Sequence, residues 1–497
     1  MLAPDDKRPR DAAVIDVGSN SVRLVIYRLE GRAIWTVFNE KVLAGLGRDI
    51  AATGRLATEG VEASLGALRR FKAVLDATQP SQVFVAATAA VREASDGAAF
   101  VQRVLRDTGL QIRVLTGAEE ARYSALGVLA GAPDANGVVG DLGGSSLELT
   151  RVGDGEPGQG VTLPLGAFSV RGGDGFDVER ARGHTARVLS QLDGGFRTET
   201  LYAVGGGWRN LALLQMRIAG YPLQIVHQYE ISAQDALDAA RFIARQSKGS
   251  LERIEGVSKR RLDTIPHAAV VLEGLIERLE LKRVSLSAYG LREGLLFEAM
   301  HKGLRDLDPL VEGCTALGAR QGAGENLGAA LEAWLGPTFA TLEPVFGARD
   351  PVLLAAACRL ADLGARLHPD HRADLVFEEV LRAPIAGMTH AERAFLALTA
   401  FARYTGSPNT PEARTLGRVL NPDAHRRARA LGAAIRLGCD LSGRSGELLK
   451  HSRLQMGDGV IVVAADAGWA DMLLGEQTAK RASALADQLD VGLRLGR

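Results

Sequence analysis

The chain has 497 residues, 46% hydrophobic and 24% charged, enough for cores in two to four domains of roughly 100–200 residues each, which excludes a disordered or collagen-like protein. Lysine plus arginine and aspartate plus glutamate balance at 59 each, so a polyanion site must be a local patch. Three widely spaced cysteines exclude a disulfide framework, and the polar start from Met1 to Asp11, with no apolar run near ~20 residues, leads to the expectation of a soluble cytoplasmic protein.

The first element is a strand over Ala13-Val14-Ile15-Asp16, a small polar turn Val17-Gly18-Ser19-Asn20-Ser21, and a second strand over Val22 to Tyr27. Gln82 to Ala86 reads as a strand leading to a helix from about Thr88, and Ile112 to Leu115 as a strand leading to another from about Ala118. Strands alternating with helices predict an α/β layer. The block Asp16-Val17-Gly18-Ser19-Asn20-Ser21-Val22-Arg23-Leu24 then recurs in form as Asp141-Leu142-Gly143-Gly144-Ser145-Ser146-Leu147-Glu148-Leu149. Such a repeat predicts two related lobes, each opening with strand, Gly/Ser turn and strand, and divided near the loop Gly131 to Gly137.

Further along, the apolar run Leu201 to Val204 precedes the glycine loop Gly205-Gly206-Gly207 and a helical pattern from Trp208 to Met216. Pro266 to Leu279 reads as an amphipathic helix, Arg283 to Leu286 as a strand and Gly290 to Leu296 as a helix start. Residues 304–440 lack strand alternation and carry Ala, Leu and Arg at helical spacing, with prolines at 337, 344, 351, 369, 384, 408 and 411 as breaks. Arg453 to Met456 and Val460 to Val463, joined by Gly457-Asp458-Gly459, form a hairpin. The expected organisation is lobe I over 1–131, lobe II over 132–303, a helical domain over 304–445 and a small α/β piece over 446–497.

A turn of small residues between two strands points several backbone N–H groups one way, a concavity suited to phosphate oxygens, and serine hydroxyls add donors. Gly18, Ser19, Asn20 and Ser21 in one copy and Gly143, Gly144, Ser145 and Ser146 in the other are therefore candidate phosphate ligands. Asp16 and Asp141, each at a strand end before its turn, are placed to hold a divalent cation. A single copy would suit an ordinary hairpin equally well; the duplication favours a phosphate clamp.

Thr116 and Glu119 have capping-box spacing, which leaves Glu120 unneeded for the cap. Ala121, Ala125, Val128 and Leu129 make the expected buried stripe, and Glu120, Ser124 and Gly127 a neighbouring face of small residues suited to a carboxylate that reaches a cleft, although a solvated helix residue is the plainer alternative for Glu120. Glu148 stands where Arg23 stands in the first copy; a carboxylate beside phosphate is unfavourable unless it binds metal or orients water. Arg92 combines a guanidinium with a nearby helix N-terminus, an anion-binding pair, although a surface arginine is the plainer alternative. Between His425 and Arg453, the residues Arg426, Arg427, Arg429, Arg436 and Lys450 form a candidate polyanion track or, at least equally well, a solvated basic helix face.

At these residues the chain resembles the exopolyphosphatase/guanosine pentaphosphate phosphatase family, within the sugar kinase, Hsp70 and actin superfamily. The matching stretches are Val14 to Ser21, Ala87 to Ala94, Thr116 to Arg122, Asp141 to Leu149 and Leu291-Arg292-Glu293-Gly294, in the family's order across 13–300. The resemblance implies two actin-like (ribonuclease H-like) lobes with the active site between them and Mg²⁺-dependent, processive removal of terminal phosphate from inorganic polyphosphate. It implies that Glu120 positions or deprotonates the attacking water, that Glu148 and Asp141 help hold Mg²⁺, and that Ser19, Asn20 and Arg92 bind phosphate. A homodimer, with no nucleic-acid or membrane partner, is the accompanying expectation.

The family usually carries a third glycine where this chain has Ser145, which still offers a hydroxyl. Longer members carry a helical region resembling metal-dependent HD phosphohydrolases; here Ala361 occupies the histidine slot before Asp362, so no second metal centre is expected despite His368 and His371. Guanosine pentaphosphate is the rival substrate. An ATP-dependent kinase or ATPase of the superfamily is disfavoured because Trp208 is bulky beside the glycine loop, and a non-catalytic polyphosphate sensor because Glu120 and Glu148 are intact.

Overall fold

The computed structural model describes residues 7–167, 176–246, 248–252, 264–320 and 326–496, so residues 1–6 of the polar start lie outside the described residues. Two compact units are present, one running to Asp306 without Gly31–Ala33, the other comprising Gly31–Ala33 and Leu307–Arg497.

The first unit holds two sheets. Strands β1 (Arg10–Val17), β2 (Val22–Glu30), β3 (Ala33–Val42), β4 (Gln82–Ala87) and β5 (Arg113–Val114) lie in the order β3-β2-β1-β4-β5. Strands β6 (Gly137–Leu142), β7 (Leu147–Gly153), β8 (Glu156–Leu163), β9 (Thr200–Val204), β10 (Tyr229–Ser232) and β11 (Arg283–Leu286) lie in the order β10-β11-β9-β6-β7-β8. In both sheets the opening strand pairs antiparallel with its hairpin partner and parallel with a later strand, β1 with β2 and β4, β6 with β7 and β9. The sequence repeat is thus a repeat of topology. The second sheet adds β10 as an antiparallel edge, and β8, reading Glu-Pro-Gly-Gln-Gly-Val-Thr-Leu, lacks the alternation that would mark it in advance.

The opening strand alternates between two cores, with no water-facing side. Ala13, Ile15 and Val17 pack with Leu24, Leu68 and Phe71, while Ala12 and Val14 pack with Tyr27, Leu126 and Leu296. A central strand covered on both faces reads this way.

The covering helices exchange lobes. Helix Gly117–Gly131 follows the first sheet, yet its Ala125, Val128 and Leu129 pack on Val139, Val152 and Val204 of the second. Its Tyr123, Leu126 and Ala130 meet Leu291, Leu295 and Leu296 of helix Leu291–Ala299 over the first sheet. From Glu120 to Gly131 every residue except Arg122 is therefore buried, where the spacing predicts a single stripe. The helix expected from Thr88 is one short turn, Ala89–Glu93; the chain extends at Ala94 and resumes as helix Gly97–Thr108.

Trp208 corrects a second expectation. It lies in helix Gly206–Ile218 but turns into the lobe interior, 1% exposed, with Nε1 donating to the Ala268 carbonyl at 2.9 Å. It leaves the glycine loop open and is no obstacle to a ligand there.

The second unit is mainly helical. Pro351 and Pro422 sit in the first turns of helices Asp350–Arg359 and Pro422–Leu441, where a missing N–H costs nothing. Pro337 instead lies inside helix Leu327–Phe339, close to its end, rather than breaking it. The buried Arg393 donates to the carbonyls of Leu381, Ala383 and Ile385, satisfying acceptors where helix Arg372–Arg382 stops. The expected hairpin is present as β12 (Ser452–Gly457) and β13 (Val460–Ala465), joined by a parallel third strand, β14 (Gly492–Gly496). Among the described residues no helix is long and apolar enough to cross a membrane.

Candidate active site

The two Gly/Ser turns are built alike. Gly18 N donates to Ser21 O at 3.0 Å and Gly143 N to Ser146 O at 2.9 Å. Across each hairpin the aspartate faces the position after the turn: Asp16 pairs with Arg23 and Asp141 with Glu148. The same backbone register therefore carries opposite charges in the two lobes.

A cleft of about 230 Å³ lies between the turns. It is lined by Asp16 and Asp141, by Gly18, Ser19, Asn20 and Ser21, and by Gly143, Gly144, Ser145 and Ser146, so ten of the predicted residues come together. Glu120 also lines it. Gly205 holds a φ of 111°, and a Cβ there would lie 2.5 Å from the Leu142 carbonyl oxygen, so only glycine brings this loop against the second turn.

The reciprocal Thr116–Glu119 capping box is present, and it starts the helix so that Glu120 falls in its first turn, 8% exposed. Arg92 donates to Glu120 Oε2 at 3.0 Å and to the Leu115 carbonyl at 2.8 Å. Burial pushes the Glu120 carboxyl up to about 7 against the pull of Arg92, with Asp141 and Asp16 adding to the rise. Asp141 is raised chiefly by burial and accepts a hydrogen bond from Ser124. Asp16 accepts from Arg292 Nη1 at 3.1 Å.

Two predicted residues take other places. Arg92 and Glu148 are not part of the lining. The Arg92 guanidinium is drawn to Glu120 and the Leu115 carbonyl instead of facing an anion. Glu148 is 2% exposed, its Oε1 has no hydrogen-bond partner, and burial followed by its neighbours Glu120 and Asp141 drives its carboxyl well up.

In the second unit, the basic residues between 425 and 453 are engaged locally. Arg426 pairs with Asp423, Lys450 with Glu447 at 2.6 Å, and Arg427 and Arg429 donate to the carbonyls of Glu343, Ser407 and Pro408 at 2.9 Å. Arg436 is half-buried, and burial lowers its pKa.

Arg23, Lys41, Arg209, Asn210 and Arg292 also line the cleft and were not singled out as site residues from the sequence. The repeat aligns Arg23 with Glu148, and Arg292 lies in one of the resembling stretches. Lys41 and Arg209 carry no local signal, because only the packing of distant strands and helices brings them to the cleft.

Two lobes of one topology, each presenting an aspartate and a Gly/Ser turn to a shared cleft, define an actin-like phosphate-handling fold. The chain belongs to the Ppx/GppA phosphatase family, whose model matches residues 25–303; a second model, described as exopolyphosphatase, C-terminal, matches 317–494. Exopolyphosphatase 1 of Mycobacterium leprae is 26% identical over 317 residues, 61% of this chain and 91% of that protein. A solved Ppx/GppA family member from Aquifex aeolicus matches with 25% identity and a TM-score of 0.52, covering 59% of this chain and 100% of the other. A solved exopolyphosphatase from Cytophaga hutchinsonii, 22% identical with a TM-score of 0.53 over 58% of this chain and 97% of the other, shares the fold.

Proposed function

We propose that the protein is an exopolyphosphatase that hydrolyses the terminal phosphate of inorganic polyphosphate, processively and with Mg²⁺, releasing orthophosphate. The observation that carries this reading is Glu120, a buried carboxylate poised near neutral pH at the wall of a cleft between two phosphate-type turns. The kinship with relatives named exopolyphosphatase supports the substrate class.

The turns' amides and hydroxyls hold the terminal phosphoryl group, and Arg23, Lys41, Arg209 and Arg292 offset the negative charge of the chain in the cleft. Glu120 orients a water for in-line attack on the terminal phosphorus and takes its proton; the bridging P–O bond breaks, and the shortened chain leaves with that oxygen.

The acid cluster fits a divalent cation. Burial raises Glu120, Asp141 and Glu148 together, and the partnerless Oε1 of Glu148 is a buried acceptor awaiting a positive partner. Among the described residues no three His, Cys, Asp or Glu side chains form a ready metal set, so Asp16 and Asp141, with Glu148 behind them, would hold the ion jointly with substrate oxygens and water. Such an ion supplies charge neutralisation at the transferred phosphoryl group.

Guanosine pentaphosphate is the second reading. The glycine loop at Gly205–Gly207 lines the cleft beside Ala268 with Trp208 turned away, leaving a surface suited to a nucleoside. Phosphate release from long-chain polyphosphate and from guanosine pentaphosphate, each with Mg²⁺ and with chelator, tests both. Release that requires Mg²⁺ is the expected result, and the ratio of the two kcat/KM values identifies the substrate; no release from either rejects the hydrolase reading.

A base that must be ionised makes kcat/KM fall as pH drops below the pKa of Glu120, about 7 in the free protein. Arg92 holds that pKa down. Arg92→Gln should therefore move the acid limb to higher pH, seen in a pH–rate profile; an unmoved limb detaches Arg92 from the base. A cytoplasmic homodimer belongs to the same reading, supported for the compartment by three buried free cysteines. A monomer mass in light scattering at working concentration rejects the dimer.

A further inference from the structure

The tips of the two phosphate turns touch. Ser145 Oγ of the second lobe donates to Ser19 Oγ of the first at 2.9 Å. Both residues line the cleft, and both are braced from behind. Gly47 N donates to the Ser19 carbonyl at 2.8 Å, and Gly166 N to the Ser145 carbonyl at 3.2 Å. A Cβ on Gly47 would lie 3.0 Å from the Ser19 Cβ, and one on Gly166 would overlap the backbone of Ser145, so glycine at each position lets the supporting loop lie close against the turn. The two hydroxyls are held by their backbones at a fixed meeting point.

A hydroxyl carries a single proton. While Ser145 donates to Ser19 it has nothing to donate to a phosphate oxygen, and a glycine at 145 would have no hydroxyl to offer either partner. We propose that Ser145 and Ser19 form a substrate-released latch: they hold the two phosphate turns together in the empty protein and exchange that bond for separate bonds to phosphate oxygens when the chain end of the substrate enters. This rests on the proposed polyphosphate reading of the cleft. It assigns Ser145 a part in setting the affinity for the terminal phosphates. Binding replaces a neutral hydroxyl–hydroxyl bond by stronger charge-assisted ones, so the exchange favours entry of an anion over retention of the latch.

A double-mutant cycle reads both states. Ser19→Ala, Ser145→Ala and the double variant are compared first by thermal unfolding without ligand. In the empty protein each single change removes the same bond, so each should lower Tm by about 2 °C and the double change by little more. The second arm uses tripolyphosphate binding by calorimetry, with Glu120→Gln in every form to prevent turnover. In the bound state the hydroxyls act separately, whereas either single change already frees the latch, so each single change should weaken binding about tenfold and the double change by more than the product of the two, about 500-fold.

Additive losses in Tm overturn the latch in the empty protein. A double loss no larger than the product of the two single losses overturns its release. If the unsubstituted serine form binds no tripolyphosphate while the Tm losses remain coupled, the polyphosphate reading of the cleft fails and the serine bridge stands as a contact between lobes.

Discussion

Glu120→Gln is expected to lower kcat for polyphosphate by about 10²–10⁴-fold with little change in KM. Glutamine keeps the shape and still accepts the hydrogen bond from Arg92, but it takes no proton from water. The stability outcome has the opposite sign. A carboxyl raised to about 7 in the folded protein, against about 4.3 unfolded, retains a proton that the unfolded chain has lost, so its contribution to stability declines as pH rises from about 4 through 7. At pH 8 the wild type carries a buried, ionised Glu120 and the glutamine variant does not. The variant should therefore be slow in phosphate release and at least as stable in thermal unfolding at pH 8, with the difference vanishing near pH 4. Activity within threefold of wild type would remove Glu120 from the base role.

Gly294→Ala carries the largest expected effect on stability. Helices Gly117–Gly131 and Leu291–Ala299 cross at backbone contact: a Cβ on Gly294 would overlap the Tyr123 carbonyl oxygen, and one on Gly127 would overlap that of Gly290. Neither partner is a side chain able to rotate away, so the helices must separate, at an expected cost of about 3 kcal/mol or more. One helix carries Glu120 and the other Arg292, both lining the cleft, so activity should fall with stability. Gly183 is the control. It lies in helix Val178–Leu189 with open space where a Cβ would go, and Gly183→Ala should stabilise by about 0.5–1 kcal/mol. Urea unfolding of the first unit measures both; equal midpoints for Gly294→Ala and wild type would rule out the close crossing.

Much of the fold was legible from local pattern. The hairpins around both Gly/Ser turns appear with their aspartates at the strand ends, and the Arg283–Leu286 strand and the Thr116–Glu119 cap appear as expected. Each is set by short-range geometry, whether side-chain alternation along a strand, a turn that small residues permit, or a carboxylate three positions after a threonine. The edge strands β8 and β10 were not legible: β8 pairs with the adjacent β7 across Asp154-Gly155 but carries no alternation of its own, and β10 is short and pairs with β11, which is remote along the chain. The lobe exchange of the two covering helices escaped for the same reason, because an apolar stripe records that a helix is buried without recording against what.

The sequence by itself determined that the chain carries two copies of an acidic, phosphate-type turn, and which side chains stand at each position of them. Tertiary structure alone decided what those side chains do. Burial beside Asp141 and Asp16 raises Glu120 toward neutrality, and packing brings Arg92 to it, while distant strands and helices deliver Lys41, Arg209 and Arg292 to the cleft. The physical reason is that a turn's geometry depends on a few adjacent torsions, whereas the charge state of a carboxylate depends on the water and counter-charges that packing of remote segments removes or brings near.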